Sequence, residues 1–170
     1  MTPLYRHPSI LAIDPGTRFS AWAYLEDGSP RAGGKVPNTE LRWDLVHGMP
    51  DLKLATTVPL VIEMIQGLGR PVGAETFETC VWIGRFAEAW SDPTYRIYRA
   101  TVKRTLCGRA AGKDAWVRQA LIDRFGGVDG KAKAVGIKSA PGPLYGYRAD
   151  MWQALAVGIA AYEGAELLID

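Results

Sequence analysis

Two short apolar runs, each closed by a carboxylate, limit this chain more than any other feature. Ile10-Leu-Ala-Ile13 ends on Asp14 and leads straight into the turn Pro15-Gly16, and Pro59-Leu-Val-Ile62 ends on Glu63. Runs of this length bounded by turn signals read as buried strands. Asp14 then stands at a strand's carboxyl end, where an open α/β sheet keeps its chemistry. A carboxylate in that setting is costly unless it is paired, and a hard divalent cation is the usual reason to keep one. Asp14 and Glu63 together form a candidate metal site. Two simpler readings stand beside it: Asp14 as the cap of its turn, and Glu63 as the ion-pair partner of Arg70 or another base.

The remaining segments supply elements to surround those runs. Residues 20–25 alternate loosely and predict a second strand, 26–30 a turn, and 31–36 a third strand of a meander. Asn38 or Thr39 is placed to cap a helix reaching His47. Residues 59–64 are the fourth strand and 66–73 a flexible glycine-rich loop. Phe77, Val81, Gly84 and Ala87 or Glu88 recur at helical spacing, which predicts a helix over 74–90 with Trp82, Phe86 and Trp90 on an adjoining face. Residues 95–99 are the fifth strand, and helices follow over 101–106 and 113–125. The stretch 131–147, rich in Gly, Pro and Lys, reads as a mobile surface loop. A last helix of small apolar residues opens at Arg148 or Asp150 and runs to Tyr162. No repeat or linker interrupts the 170 residues. The expectation is one domain, 1–170, of the α/β class, with a five-stranded mixed sheet flanked by helices.

Cys80 and Cys107 lie on unrelated segments with neither a CxxC spacing nor a nearby His. They argue against a disulfide framework or a zinc site and fit a reducing compartment; both read as buried small hydrophobes. No leader-like apolar segment and no bilayer-length run is present, so a cytoplasmic protein without a membrane partner is expected. The net charge is only +2, but its distribution is uneven. Between residues 95 and 118 the bases Arg96, Arg99, Lys103, Arg104, Arg109, Lys113 and Arg118 meet a single acid, Asp114. A basic half beside a few carboxylates suits a polyanion such as a nucleic acid, although a solvated basic helix face gives the same pattern. Tyr145, Tyr147, Trp152 and Trp116 flank the acids and bases, and aromatic rings there can stack on unpaired bases or simply fill the core.

Asp150 is the third candidate carboxylate. It opens the last helix directly after the glycine-rich stretch, where capping is the commonest duty of an Asp. Combined with Asp14 and Glu63 it would give three oxygen donors suited to Mg²⁺. Two such ions, roughly 3.5–4 Å apart, activate a water and stabilise the departing oxygen of a phosphodiester.

With those residues in place, the chain resembles a known family. Ile13-Asp14-Pro-Gly-Thr17, Val61-Ile-Glu63, Val102-Lys103-x-x-Leu106-x-Gly108 with Gly112-Lys113, and the ending Asp150-Met-Trp-Gln-Ala154-Leu-Ala-Val-Gly-Ile-Ala160 look like RuvC-type Holliday junction resolvases of the RNase H-like superfamily. Pro71-Val-Gly, Phe77-Glu-Thr-Cys-Val-Trp-Ile-Gly-Arg85-Phe, Arg118-Gln-Ala-Leu-Ile-Asp-Arg-Phe125 and Pro141-Gly-Pro-Leu-Tyr-Gly146 resemble a phage and prophage branch of it. The resemblance implies an RNase H-like fold and a Mg²⁺-dependent endonuclease, with Mn²⁺ as a substitute ion. It also implies a homodimer, joined through the 74–90 helix, acting on branched DNA. Asp14, Glu63 and Asp150 become metal ligands and catalytic groups, and Lys113 a catalytic base-bearing position beside the cleaved phosphate. Lys103, Arg104, Arg109, Lys113, Arg118, Arg70 and Tyr145 become DNA contacts, with the loop 67–73 near the junction centre. One departure stands out. The family usually places two metal-binding residues three apart at the start of the last helix, an Asp or His followed by Asp; here Asp150 fills the first position and Gln153 the second. Gln153 offers an oxygen without charge; Asp114 is a possible replacement.

Two alternatives remain at this level. One keeps the fold and changes the substrate to flaps, forks or RNA–DNA hybrids. The other is a junction-binding protein without catalysis.

Overall fold

The structure, a computed structural model, describes residues 4–49, 52, 57–67, 69 and 71–169. Arg70 lies outside them. In chain order the elements are β1 (Ser9–Asp14), β2 (Phe19–Glu26), β3 (Ser29–Pro37), α1 (Asn38–His47), β4 (Leu60–Met64), α2 (Ala74–Ala89), β5 (Thr94–Tyr98), α3 (Arg99–Cys107), α4 (Asp114–Gly126), a 3-10 turn (Gly127–Asp129), α5 (Gly130–Ala134), β6 (Gly136–Ile137), β7 (Ala140–Pro141), α6 (Met151–Tyr162) and β8 (Leu168–Ile169).

One mixed sheet runs in the order β3-β2-β1-β4-β5-β8, and β6 and β7 form a separate hairpin. β1, β4 and β5 are parallel, while β2, β3 and β8 run antiparallel to their neighbours. The five expected strands are all present; β8 adds a sixth at the edge. At two residues it is too short to show the alternation by which a strand announces itself.

Period-two alternation sorts the apolar side chains onto two faces. Ile10 and Ala12 of β1, Ala21, Ala23 and Leu25 of β2, Val61 of β4 and Ile97 of β5 face one core. It is closed by Val102 of α3, Val117 and Leu121 of α4 and residues 154–157 and 159–161 of α6. Leu11, Ile13, Trp22, Tyr24, Leu60 and Ile62 face the other, under Leu41 and Leu45 of α1 and Trp82, Ile83 and Phe86 of α2. Ile10, Ile13 and Ile62 are fully buried, and burying a side chain of that size contributes ~1.5–3 kcal/mol. α6 packs tightly where it carries the small residues Ala154, Ala156, Gly158, Ala160 and Ala161. A Cβ on Gly158 would overlap Leu25 and come within 3.2 Å of the Ala12 methyl.

Four local expectations need correction. Asn38 is the first residue of α1 and Pro37 its N-cap, because the Asn38 side chain is drawn inward by partners described below. β5 stops at Tyr98, and Arg99 opens α3, since the chain needs no further sheet pairing beyond Met64↔Tyr98. The stretch 131–147 is not a plain loop: it holds most of α5 and the β6–β7 hairpin, tied down by amide bonds from Gly142 to Val135 and from Leu144 to Ala134, at 2.9 and 2.8 Å. Ala134 and Leu144 are fully buried there, apolar anchors that the glycine-rich composition conceals. Cys80 and Cys107 are half-buried rather than buried. Among the described residues no helix is long and apolar enough to cross a membrane.

Candidate active site

The register of the sheet brings the first two acids together. β1 and β4 pair in parallel through Ile13↔Ile62, so the next residues, Asp14 and Glu63, are neighbours at adjacent carboxyl ends. Alternation places both on the α6 side, following Ala12 and Val61. The same row continues through the antiparallel strands: Asp14 lies opposite Ala21, and Ala21 opposite Lys35 of β3. On the other flank Glu63 lies opposite Ile97, two residues before Arg99.

A closed set of hydrogen bonds holds the turn after Asp14. The Gly16 amide donates to Ser20 Oγ at 3.1 Å, Ser20 Oγ donates to Asn38 Oδ1 at 2.7 Å, and Asn38 Nδ2 donates to the Gly16 carbonyl at 2.8 Å. Ser20 and Asn38 are each only 1% exposed, so these groups satisfy one another where water does not reach. Gly16 is required there, since a Cβ would overlap the carbonyl of Phe19. The turn is thus capped by Ser20 and Asn38, and Asp14 is left to face the α6 side.

Asp150 occupies the N-cap position of α6, but its side chain caps nothing. It is ion-paired with Lys35 instead. The residue before it, Ala149, takes φ 46, a left-handed conformation that costs a non-glycine residue ~1–2 kcal/mol. Gln153 follows in the first turn of α6, half-buried.

Glu63 pairs with Arg99. Arg99 Nη1 donates to Glu63 Oε1 at 2.8 Å, and Nη2 donates to Asp114 Oδ2 at 2.8 Å. Lys103, one helical turn beyond Arg99, reaches Asp114 Oδ1 at 3.1 Å and the Gly112 carbonyl at 2.7 Å. Burial shapes the charges of this cluster. Desolvation, followed by the neighbouring Glu63, pushes the Asp14 carboxyl up to about 8. Desolvation also raises Glu63 and outweighs the opposing pull of Arg99. For Asp114 the balance is reversed: partial burial pushes up, but hydrogen bonds from Arg99 and Lys103 hold it below the usual carboxylate range.

These donors suit a hard cation in part. Asp14 and Glu63 are adjacent oxygen donors whose charged forms are penalised by burial, and Glu63 Oε2 is buried with no hydrogen-bond partner. A divalent ion would relieve both conditions. Among the described residues, however, no three His, Cys, Asp or Glu side chains are gathered closely enough to share an ion. The chain's own bases stand among them: Lys35 on Asp150, and Arg99 between Glu63 and Asp114.

Of the expected DNA contacts, Arg104, Arg109, Lys113, Arg118 and Tyr145 are exposed. Lys113 is the N-cap of α4. Arg109 lies over Trp116 at 4.9 Å and Arg118 over Trp152 at 4.7 Å. Lys103 differs, being mostly buried and spent on Asp114 and Gly112. Trp152 is a core residue at 4% exposure, and Tyr147 donates its hydroxyl to the Ala32 carbonyl at 3.2 Å, its ionisation opposed by burial. Neither Lys35 nor Arg99 stands out as a site residue in the sequence. Strand register is the signal that finds Lys35, and an Arg directly after a strand beside Glu63 is the signal for Arg99.

No family profile matches the chain, and no curated protein sequence does. Solved structures do. The structure of RuvC from Thermus thermophilus matches with a TM-score of 0.57 at 16% identity, covering 94% of this chain and 99% of that one. T. thermophilus RuvC in complex with Holliday junction substrate matches with a TM-score of 0.57 at 16% identity, covering 95% and 100%. The chain therefore has the RuvC fold, an RNase H-like arrangement, over nearly its whole length.

Proposed function

We propose that this protein is a metal-dependent endonuclease that resolves four-way DNA junctions by paired phosphodiester hydrolysis. The observation that carries the reading is the Asp14–Glu63 pair at adjacent parallel strand ends, with Glu63 Oε2 buried and unpartnered. Support comes from a fold shared with a protein solved on a Holliday junction. Asp14 and Glu63, joined by Asp150 and the amide oxygen of Gln153, would hold Mg²⁺ or Mn²⁺, which supplies an activated water and offsets charge on the leaving oxygen. Lys113, exposed at the N-cap of α4 directly before Asp114, offsets charge on the scissile phosphate. Arg104, Arg109 and Arg118, exposed on or beside α3 and α4, take backbone phosphates, and Arg70 belongs to the same set. Tyr145, 44% exposed, stacks on an unpaired base. The protein works as a cytoplasmic homodimer of the phage and prophage kind, joined by the outer face of α2, where Phe77 and Val81 are 62% and 46% exposed.

A second reading is a junction binder without catalysis. It is favoured by the ion pairs that Lys35 and Arg99 make with the acids. One experiment separates the two. A labelled four-way junction, a linear duplex and an RNA–DNA hybrid are each incubated with wild type and Asp14→Asn, with Mg²⁺ and with EDTA. Paired nicks on the junction alone, lost in EDTA and in the variant, are expected. Retention of the junction on a gel without cleavage would establish the binder, and nicking of the hybrid would move the substrate.

A further inference from the structure

We propose that Arg99 is a built-in competitor for Glu63, holding this carboxylate until a divalent cation takes it, and that Asp114 receives the released guanidinium. This rests on the reading that Asp14 and Glu63 bind a cation. The geometry of the guanidinium points to it. An Arg facing one carboxylate commonly uses both arms on it, but here the arms are divided. Nη1 is 2.8 Å from Glu63 Oε1 and Nη2 is 2.8 Å from Asp114 Oδ2. Letting go of Glu63 therefore leaves Arg99 paired. Asp114 is itself fixed as a receiver, because Lys103 holds its second oxygen at 3.1 Å and is braced on the Gly112 carbonyl at 2.7 Å.

The two acids differ in freedom. The Glu63 side chain is 12% exposed, against 35% for Arg99 and 55% for Asp114. Glu63 is confined while Arg99, the first residue of α3, has room to swing outward toward Asp114. Glu63 is also only half engaged: Oε1 carries the Arg99 bond, and Oε2 is buried with no partner. A divalent ion ligated by Glu63 and a guanidinium on the same carboxylate repel each other, so occupation by one displaces the other. Arg99 thereby keeps Glu63 ordered while the cation is away, at the expense of apparent cation affinity. It is a positioning residue, acting through Glu63.

The test titrates the whole chain, without DNA, with Mn²⁺ by calorimetry and by the loss of the free-ion electron paramagnetic resonance signal. Arg99→Gln is expected to bind Mn²⁺ about tenfold more tightly than wild type, the equivalent of ~1.4 kcal/mol. Asp114→Asn, which removes the negative charge that would receive Arg99 and so favours its hold on Glu63, is expected to weaken binding by a similar factor of about ten. Opposite signs are the signature. A bridge with a purely structural duty weakens binding in both variants, and that result, or an unchanged affinity in Arg99→Gln, overturns the proposal. If Arg99→Gln does not fold, Arg99→Lys replaces it; its ammonium lacks the two-armed fork, so tighter binding is again expected and an unchanged or weaker affinity counts against the proposal. Absence of Mn²⁺ binding from wild type and variants alike removes the cation reading itself, and this inference with it. Binding in Arg99→Gln but not in wild type supports both.

Discussion

Replacing Asp14 with Asn tests the electrostatics of the site without any substrate. Burial and the adjacent Glu63 move the Asp14 carboxyl from an ordinary value near 3.8 to about 8. The sign follows from proton counts. Between pH 5 and pH 7 the folded protein without metal keeps this proton while the unfolded chain has lost it, so stability falls as pH rises. The slope for one proton is ~1.36 kcal/mol per pH unit, or ~2.7 kcal/mol over the window. For a chain of this size that corresponds to a fall in melting temperature of roughly 5–11 °C. Asp14→Asn has no such proton, and its slope should be flatter by that amount. The amide's own cost of burial shifts the whole curve without tilting it, and Glu63, also raised by burial, tilts both proteins alike. The assay is urea unfolding followed by tryptophan fluorescence in EDTA at pH 5, 6 and 7. A wild-type-minus-variant difference that stays constant across the three would refute the reasoning.

Two further outcomes are expected. Asn38→Ala removes one bond to Ser20 and one to Gly16, and stranding those buried partners should cost ~1–3 kcal/mol; junction cleavage should fall with it, measured against a chemical unfolding curve. Phe77→Glu with Val81→Glu alters two exposed positions of α2, so stability should change by no more than ~0.5 kcal/mol per site. The sedimentation coefficient should nevertheless drop from dimer to monomer, and a dimer that persists would remove α2 as the interface.

What could be read without coordinates, and what could not, divides along physical lines. Asp14 and Glu63 announce themselves because a carboxylate ending an apolar run is costly, and cost is visible in sequence. Ile10–Ile13 and 59–64 show as strands because each is a short apolar run bounded by turn signals, and the helical spacing of Phe77, Val81 and Gly84 shows α2. Lys35 is different. Nothing in Gly33-Gly-Lys35-Val marks it, because its place beside Asp150 depends on two antiparallel registers, Asp14↔Ala21 and Ala21↔Lys35. Arg99 is hidden by a boundary: assigned to a strand end it points nowhere in particular, whereas as the first residue of α3 it reaches two acids. Asn38 reads as a cap in the sequence, but its amide oxygen instead accepts from a buried hydroxyl eighteen residues earlier, at Ser20. Leu144 is lost among glycines and prolines, and only packing reveals that it anchors its segment.

The slenderness of α6 has a consequence for how this site is set. Asp150 opens the helix, and Gly158, eight residues on, is where the helix rests against Leu25 and Ala12. At 1.5 Å of rise per residue the two are about 12 Å apart along the axis. The helix therefore works as a shim: its thickness at Gly158 fixes how high Asp150 rides over the row of strand ends. A single added methyl at that distant point is expected to shift Asp150 relative to the strand ends without altering any carboxylate. The seat of Asp150 is thus a property of the core.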